Sequence, residues 1–160
     1  MILLRLVHIV AGGFWAGAAI LMGWFVAPAA RSVGPAAGPF MQALLKRRTT
    51  TVLITAGSVT VAAGLWLWAI RQPTMGRWQD WAMAIGALSG IAALTIGIVL
   101  QRPTGSRMQA LGAQIMSAGA PPSAEQSAEM GQLQARLGRY GSTLAYLFTA
   151  ALAGMALGGS

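Results

Sequence analysis

The sequence predicts an all-α membrane protein, a bundle of four transmembrane helices with a cytoplasmic helical hairpin between helices 3 and 4. Three observations predict it. Long uncharged apolar stretches recur through the 160 residues, which are 56% hydrophobic. Charged residues make up only 9%, against about 25% in soluble domains. The 11 basic residues gather near the ends of the apolar stretches, where such residues orient helices in a bilayer. The whole chain, 1–160, reads as one membrane domain.

The first span is placed at about 2–27, and only Arg5 and His8 interrupt its apolar run. Arg5, the apolar core and Ala27-Pro28-Ala29 have the form of a signal peptide. The run is longer than an h-region of about 7–15 residues, so it is expected to stay as a span. Gly34-Pro35 and Gly38-Pro39 mark turns in the first loop. Phe40–Arg48 then reads as a short amphipathic helix ending in Lys46-Arg47-Arg48, a cluster suited to anionic lipid headgroups. The plainer alternative is a stop-transfer cluster of positive charge.

The second and third spans are placed at about 49–71 and 80–101 and the fourth at about 139–158, each long enough to cross a hydrocarbon core of about 30 Å. Thr50, Thr51, Thr55 and Thr60 are read as interhelical hydrogen-bonding groups. Between spans 3 and 4, residues 102–138 carry two apolar stripes, Met108/Leu111/Ile115 and Met130/Leu133/Leu137. Ser123 and Gln126, three apart, are a capping-box signature after the Gly119-Ala-Pro-Pro turn. Pro103 is expected to kink the first arm. Five glutamines give the hairpin a polar surface suited to docking against another protein.

Four spans place both termini on one side with the loop between spans 2 and 3. That side holds Arg5, Arg71 and Arg77, and the other side holds the remaining eight basic residues. The bias puts the first and third loops in the cytoplasm and both termini outside, in a bacterial inner membrane. Trp66, Trp68, Trp78 and Trp81 then form an aromatic belt around the outer loop. The net charge of +8 is accounted for by this lipid-facing pattern, so nucleic acid is not an expected partner.

Little in the chain suits catalysis. It has no cysteine, one histidine and three carboxylates. Asp80 lies near the outer interface, and Glu125 and Glu129 lie in the hairpin, where the helix dipole accounts for them. No carboxylate shares a span with His8, so no acid–base pair or triad is expected, and no metal site. The expected class is a non-enzymatic accessory or structural subunit of a larger membrane complex, partnered by lipids and other integral membrane subunits. Energy-converting assemblies, photosynthetic or respiratory, are the expected hosts, because small and catalytically bare subunits often belong to them.

The candidate site is one stripe of the first span. Arg5, His8, Gly12, Trp15, Ala19 and Met22 are spaced 3, 4, 3, 4 and 3 apart and share a helix face. Gly12 leaves space beside the imidazole for a flat cofactor or a neighbouring helix. Gly13 with Gly17, and Gly86 with Gly90, form GxxxG pairs read as packing faces. The run His8-Ile-Val-Ala-Gly-Gly-Phe-Trp15-Ala-Gly17 resembles membrane proteins of the copper-resistance-D type. It also resembles the membrane protoporphyrinogen-oxidase family, in which such a histidine binds haem. The later runs Arg107-Met-Gln-Ala-Leu-Gly-Ala-Gln-Ile, Pro121-Pro-Ser-Ala-Glu-Gln and Leu133-Gln-Ala-Arg-Leu resemble bacterial four-helix membrane proteins of no assigned activity. The resemblance implies His8 as an axial ligand with Gly12 and Trp15 beside it. Low-spin haem takes two axial ligands, so the second would come from a twin subunit, Met22 or another methionine. A (bacterio)chlorophyll needs only one. The alternative for His8 is a hydrogen bond that fixes one helix to a neighbour, with no cofactor required.

Overall fold

The computed structural model describes residues 1–46, 48–72 and 74–158. Every element among them is helical: α1 Ile2–Leu21, α2 Ala27–Val33, α3 Gly38–Lys46, α4 Thr49–Arg71, α5 Trp78–Ile96, α6 Arg102–Ala118 and α7 Ala124–Gly158. Four helical stretches are long and apolar enough to cross a membrane: Ile2–Val33, Thr49–Arg71, Trp78–Ala118 and Ala124–Gly158. Arg47 and the side chain of Lys46, two of the three expected headgroup contacts, lie outside the described residues.

The helix of the first span runs past its expected end at about 27, and that of the third runs on into α6. Neither helix stops at its proline. α1 passes through a π-turn, Met22–Val26, into α2, and α5 passes through another, Gly97–Gln101, into α6. Each π-turn lies just before an X-Pro pair, Ala27-Pro28 or Arg102-Pro103. Proline has no N–H to donate, and its ring clashes with the carbonyl four residues back. Widening the preceding turn removes the conflict. Ala27 N–H donates to the Met22 carbonyl, and Arg102 N–H donates to the Gly97 carbonyl. Pro103 therefore does not break the path from α5 into α6.

The bundle is held by close backbone approaches. α5 and α7 make the most extensive contact, and glycine sets its distance. A Cβ at Gly154 would lie 2.5 Å from the Ala82 carbonyl oxygen, and one at Gly158 would lie 2.7 Å from that of Gln79. Gly86 meets the Ala151 carbonyl from the other side at 3.0 Å. Its sequence partner Gly90 is buried, yet a Cβ there meets nothing within 4 Å. α1 crosses α7 where a Cβ at Gly23 would lie 2.5 Å from the Gly141 carbonyl oxygen. Small residues at such crossings permit the close packing that drives helix association in lipid. The centre of the bundle is Trp15, Ala16, Ala93, Leu144 and Phe148. Trp15 and Phe148 meet edge to face, with centroids 4.5 Å apart.

Polar ties close both ends. Arg71, at the end of α4, reaches Asp80 of α5 at 3.6 Å and the Gly158 carbonyl of α7 at 3.4 Å. Asp80, in the first turn of α5, is engaged by this contact. It is 5% exposed and joins the helices through Arg71. Trp66, Trp78 and Trp81 of the expected belt are exposed, and Trp68 is half-buried. At the turn between α6 and α7, Gly119 takes a left-handed conformation (φ 61°), which its lack of a side chain permits. Ser123 and Gln126 form the expected reciprocal cap, at 2.9 and 3.1 Å. α6 folds back along the start of α7, with Leu111 and Leu133 buried. Glu129 does more than favour the helix dipole. It accepts two hydrogen bonds from Arg107, at 2.7 and 3.1 Å.

Candidate functional site

The stripe read from α1 lies against α4, and the two helices match position by position in opposite directions. His8 lies on Gly64, Gly12 on Thr60 and Trp15 on Gly57. On α1 these positions are four and then three apart. On α4 Gly57, Thr60 and Gly64 are three and then four apart, which an antiparallel pair in register requires.

The chemistry of each pairing is specific. His8 Nδ1 is 2.9 Å from the Thr60 carbonyl oxygen. A carbonyl only accepts, so Nδ1 is the donor, and in the neutral ring Nε2 then holds the lone pair. The imidazole can approach α4 because position 64 is glycine, where a Cβ would lie 2.8 Å from His8 Cε1. Thr60, 7% exposed, takes part through its carbonyl, while its hydroxyl donates to the Ala56 carbonyl at 2.7 Å within its own helix. The expectation of an interhelical hydroxyl bond from Thr60 is therefore corrected. Its methyl group closes the space over Gly12, where a Cβ would come within 3.0 Å. The Trp15 indole covers Gly57, at 2.7 Å from a Cβ there, and packs on Phe148.

The structure thus brings His8, Gly12 and Trp15 to one seam, but the seam is filled by α4. A flat macrocycle seated on Gly12 and Trp15 would have to displace Thr60 and the backbone at Gly57. Met22, fourteen residues along the same helix, stands about 21 Å from His8 by helical rise, too far to share an iron with it. Arg5, at the head of the stripe, is exposed, as are Gly13 and Gly17 on another face of α1. A Cβ at either glycine meets nothing within 4 Å. No group of three or more acidic, cysteine or histidine side chains capable of holding a metal exists among the described residues.

Sequence reasoning took up Thr60 but missed Gly57 and Gly64. The signal was present as small residues at the spacing complementary to His8, Gly12 and Trp15. No family model, curated protein or solved structure matches the chain.

Proposed function

We propose that the chain is a non-catalytic accessory or structural subunit of a larger membrane complex, with an energy-converting assembly of a bacterial inner membrane as host. The observation that carries this reading is the open face of α1. Gly13 and Gly17 are exposed with free space before them, and Val10 and Leu21 flank them, also exposed. Glycines that permit close approach, with no helix of the same chain approaching, suit a helix of another subunit. The polar ties agree with a structural role, since His8, Thr60, Arg71 and Asp80 are all engaged within or between helices. The bias of eight basic residues against three supports loops 1 and 3, with the paired part of α6 and α7, in the cytoplasm. A reporter fused after Ser160 is then expected to be extracytoplasmic, and a cytoplasmic signal would invert the arrangement.

A second reading, a haem-binding redox protein using His8, is favoured by the tautomer. A ring whose Nδ1–H is held by a carbonyl presents Nε2 as the donor atom, the arrangement common in ligating histidines. His8 fits a single axial position, and Gly12 and Trp15 do not fit as the seat of the ring. A haem there would supply one-electron transfer, with its second ligand from a twin subunit. A (bacterio)chlorophyll would need His8 alone.

One purification in mild detergent tests both readings. The expected result is a native mass well above that of the 16.5 kDa monomer, other membrane proteins in the same particle, and no visible chromophore. A stable monomer without partners removes the accessory reading. A Soret band lost in His8→Ala replaces it with the haem reading, and near-infrared absorption lost in the same variant assigns a pigment.

A further inference from the structure

Beside the sealed His8–Trp15 seam, Phe14 of α1 and the first turns of α4 border a shallow open groove of about 500 Å³. Phe14, Val52 and Ala56 form its apolar wall, and Thr51, Thr55 and Arg48 supply its polar groups. We propose that this groove holds one anionic phospholipid, with an acyl chain along Phe14, Val52 and Ala56 and the phosphate on Arg48. The proposal rests on the membrane reading alone and is independent of the accessory role.

Two observations commit the groove to this occupant. The first is its polarity. Its wall is hydrocarbon and lies within two apolar spans, so an aqueous solute gains nothing there, whereas an acyl chain packs along it by van der Waals contact. The second is charge complementarity at one end. Arg48 stands immediately before α4, where the apolar run begins, and basic residues that flank a span meet lipid phosphates. It is exposed and has no ion pair among the described residues. Its guanidinium presents the forked donors that match phosphate oxygens. Thr51 and Thr55, exposed at successive turns of α4, add hydroxyl donors between charge and chain. Arg48 also has a left-handed backbone (φ 57°), which sets it apart from the helix it precedes. Of the Lys46-Arg47-Arg48 cluster read from the sequence, Arg48 is the residue whose side chain is described, and it borders this groove.

The test uses the full-length protein, delipidated in mild detergent, with melting followed as phosphatidylglycerol, phosphatidylcholine or inorganic phosphate is added. A ligand that binds only the folded state raises the melting temperature with its concentration. Phosphatidylglycerol is expected to raise it most, and inorganic phosphate not at all. Arg48→Asn, which suits the left-handed backbone while removing the charge, is expected to weaken phosphatidylglycerol binding about fivefold. Arg48→Lys should recover part of that loss. Thr55→Phe, placed at an exposed position so that it fills the groove without entering the core, is expected to weaken both lipids. Arg102→Asn, a basic residue elsewhere on the same side, should leave binding unchanged.

Equal effects of the two lipids on the unmodified protein would overturn the proposal. So would a phosphate effect matching that of phosphatidylglycerol, or an Arg102→Asn loss equal to that of Arg48→Asn, which would mean a diffuse surface field. The comparison on the unmodified protein decides the question even if a variant fails to fold.

Discussion

Gly154→Leu is expected to separate α5 from α7 and to cost about 3 kcal/mol, the upper part of the range for overpacking a core. A Cβ at this position would lie 2.5 Å from the Ala82 carbonyl oxygen and 2.9 Å from the backbone of Gly86. These are main-chain atoms of a helix, so no rotamer change makes room. The helices must move apart, and the neighbouring approach of Gly158 to Gln79 opens with them. Gly90→Ala is the control. It lies on the same helix as Gly86 and is also buried, but a Cβ there touches nothing. It is expected to be neutral or to gain up to about 1 kcal/mol from helix propensity. Denaturation midpoints followed by circular dichroism in detergent check both. Equal midpoints for Gly154→Leu and the unmodified chain would show that α5 and α7 do not cross at these glycines.

Trp15→Ala is expected to cost about 3 kcal/mol, the lower end of the range for emptying a buried aromatic site. The lower end applies because the surroundings of a membrane helix are themselves apolar, so packing rather than transfer from water is lost. Trp15 is 7% exposed, with its edge contact to Phe148 on one side and Gly57 beneath. Gly57→Leu alone should also be harmful, because the indole occupies the space of its side chain. Combined with Trp15→Ala, the leucine enters the vacated volume. The double variant is then expected to be more stable than the sum of the single effects by about 1–2 kcal/mol, within the coupling range for contacting residues. Additive losses would mean that Trp15 and Gly57 do not meet. An unchanged midpoint with an altered absorption spectrum in Trp15→Ala would make the tryptophan a cofactor contact instead.

Much of the fold was legible because bilayer solubility leaves a coarse signature. Uncharged runs of sufficient length marked the four spans, and Ser123 with Gln126 marked the start of α7. The internal packing was less legible, for a physical reason. Lipid-facing and helix-facing positions are equally apolar in a membrane protein, so hydrophobic periodicity does not say which face of a span meets a neighbour. With 21 glycines, close-packing motifs recur by composition alone. Gly86 is at a crossing and Gly90 is not, while a Cβ at Gly13 or Gly17 would touch nothing among the described residues. The partners of Gly86 were on α7, at Ala151 and Gly154, and only three-dimensional register pairs them. The partners of charged groups were hidden for a related reason. The partner of Asp80, Arg71, is on the preceding helix, and Glu129 looked like a dipole partner because Arg107 lies on the other arm. The His8 stripe was legible as a face, but what covers it depended on the complementary spacing along α4.

The π-turns ahead of Pro28 and Pro103 have a consequence for angular phase. Each inserts one residue into a turn, and one residue corresponds to about 100° of rotation about a helix axis. A side chain in α2 or α6 therefore points about 100° away from where the periodicity of the preceding span would put it. The azimuth of the α6 face that buries Leu111 against α7 is thus set at Gly97–Gln101, several turns earlier. Deleting a single residue from that turn would rotate the whole of α6 relative to the bundle, with every α6 residue unchanged.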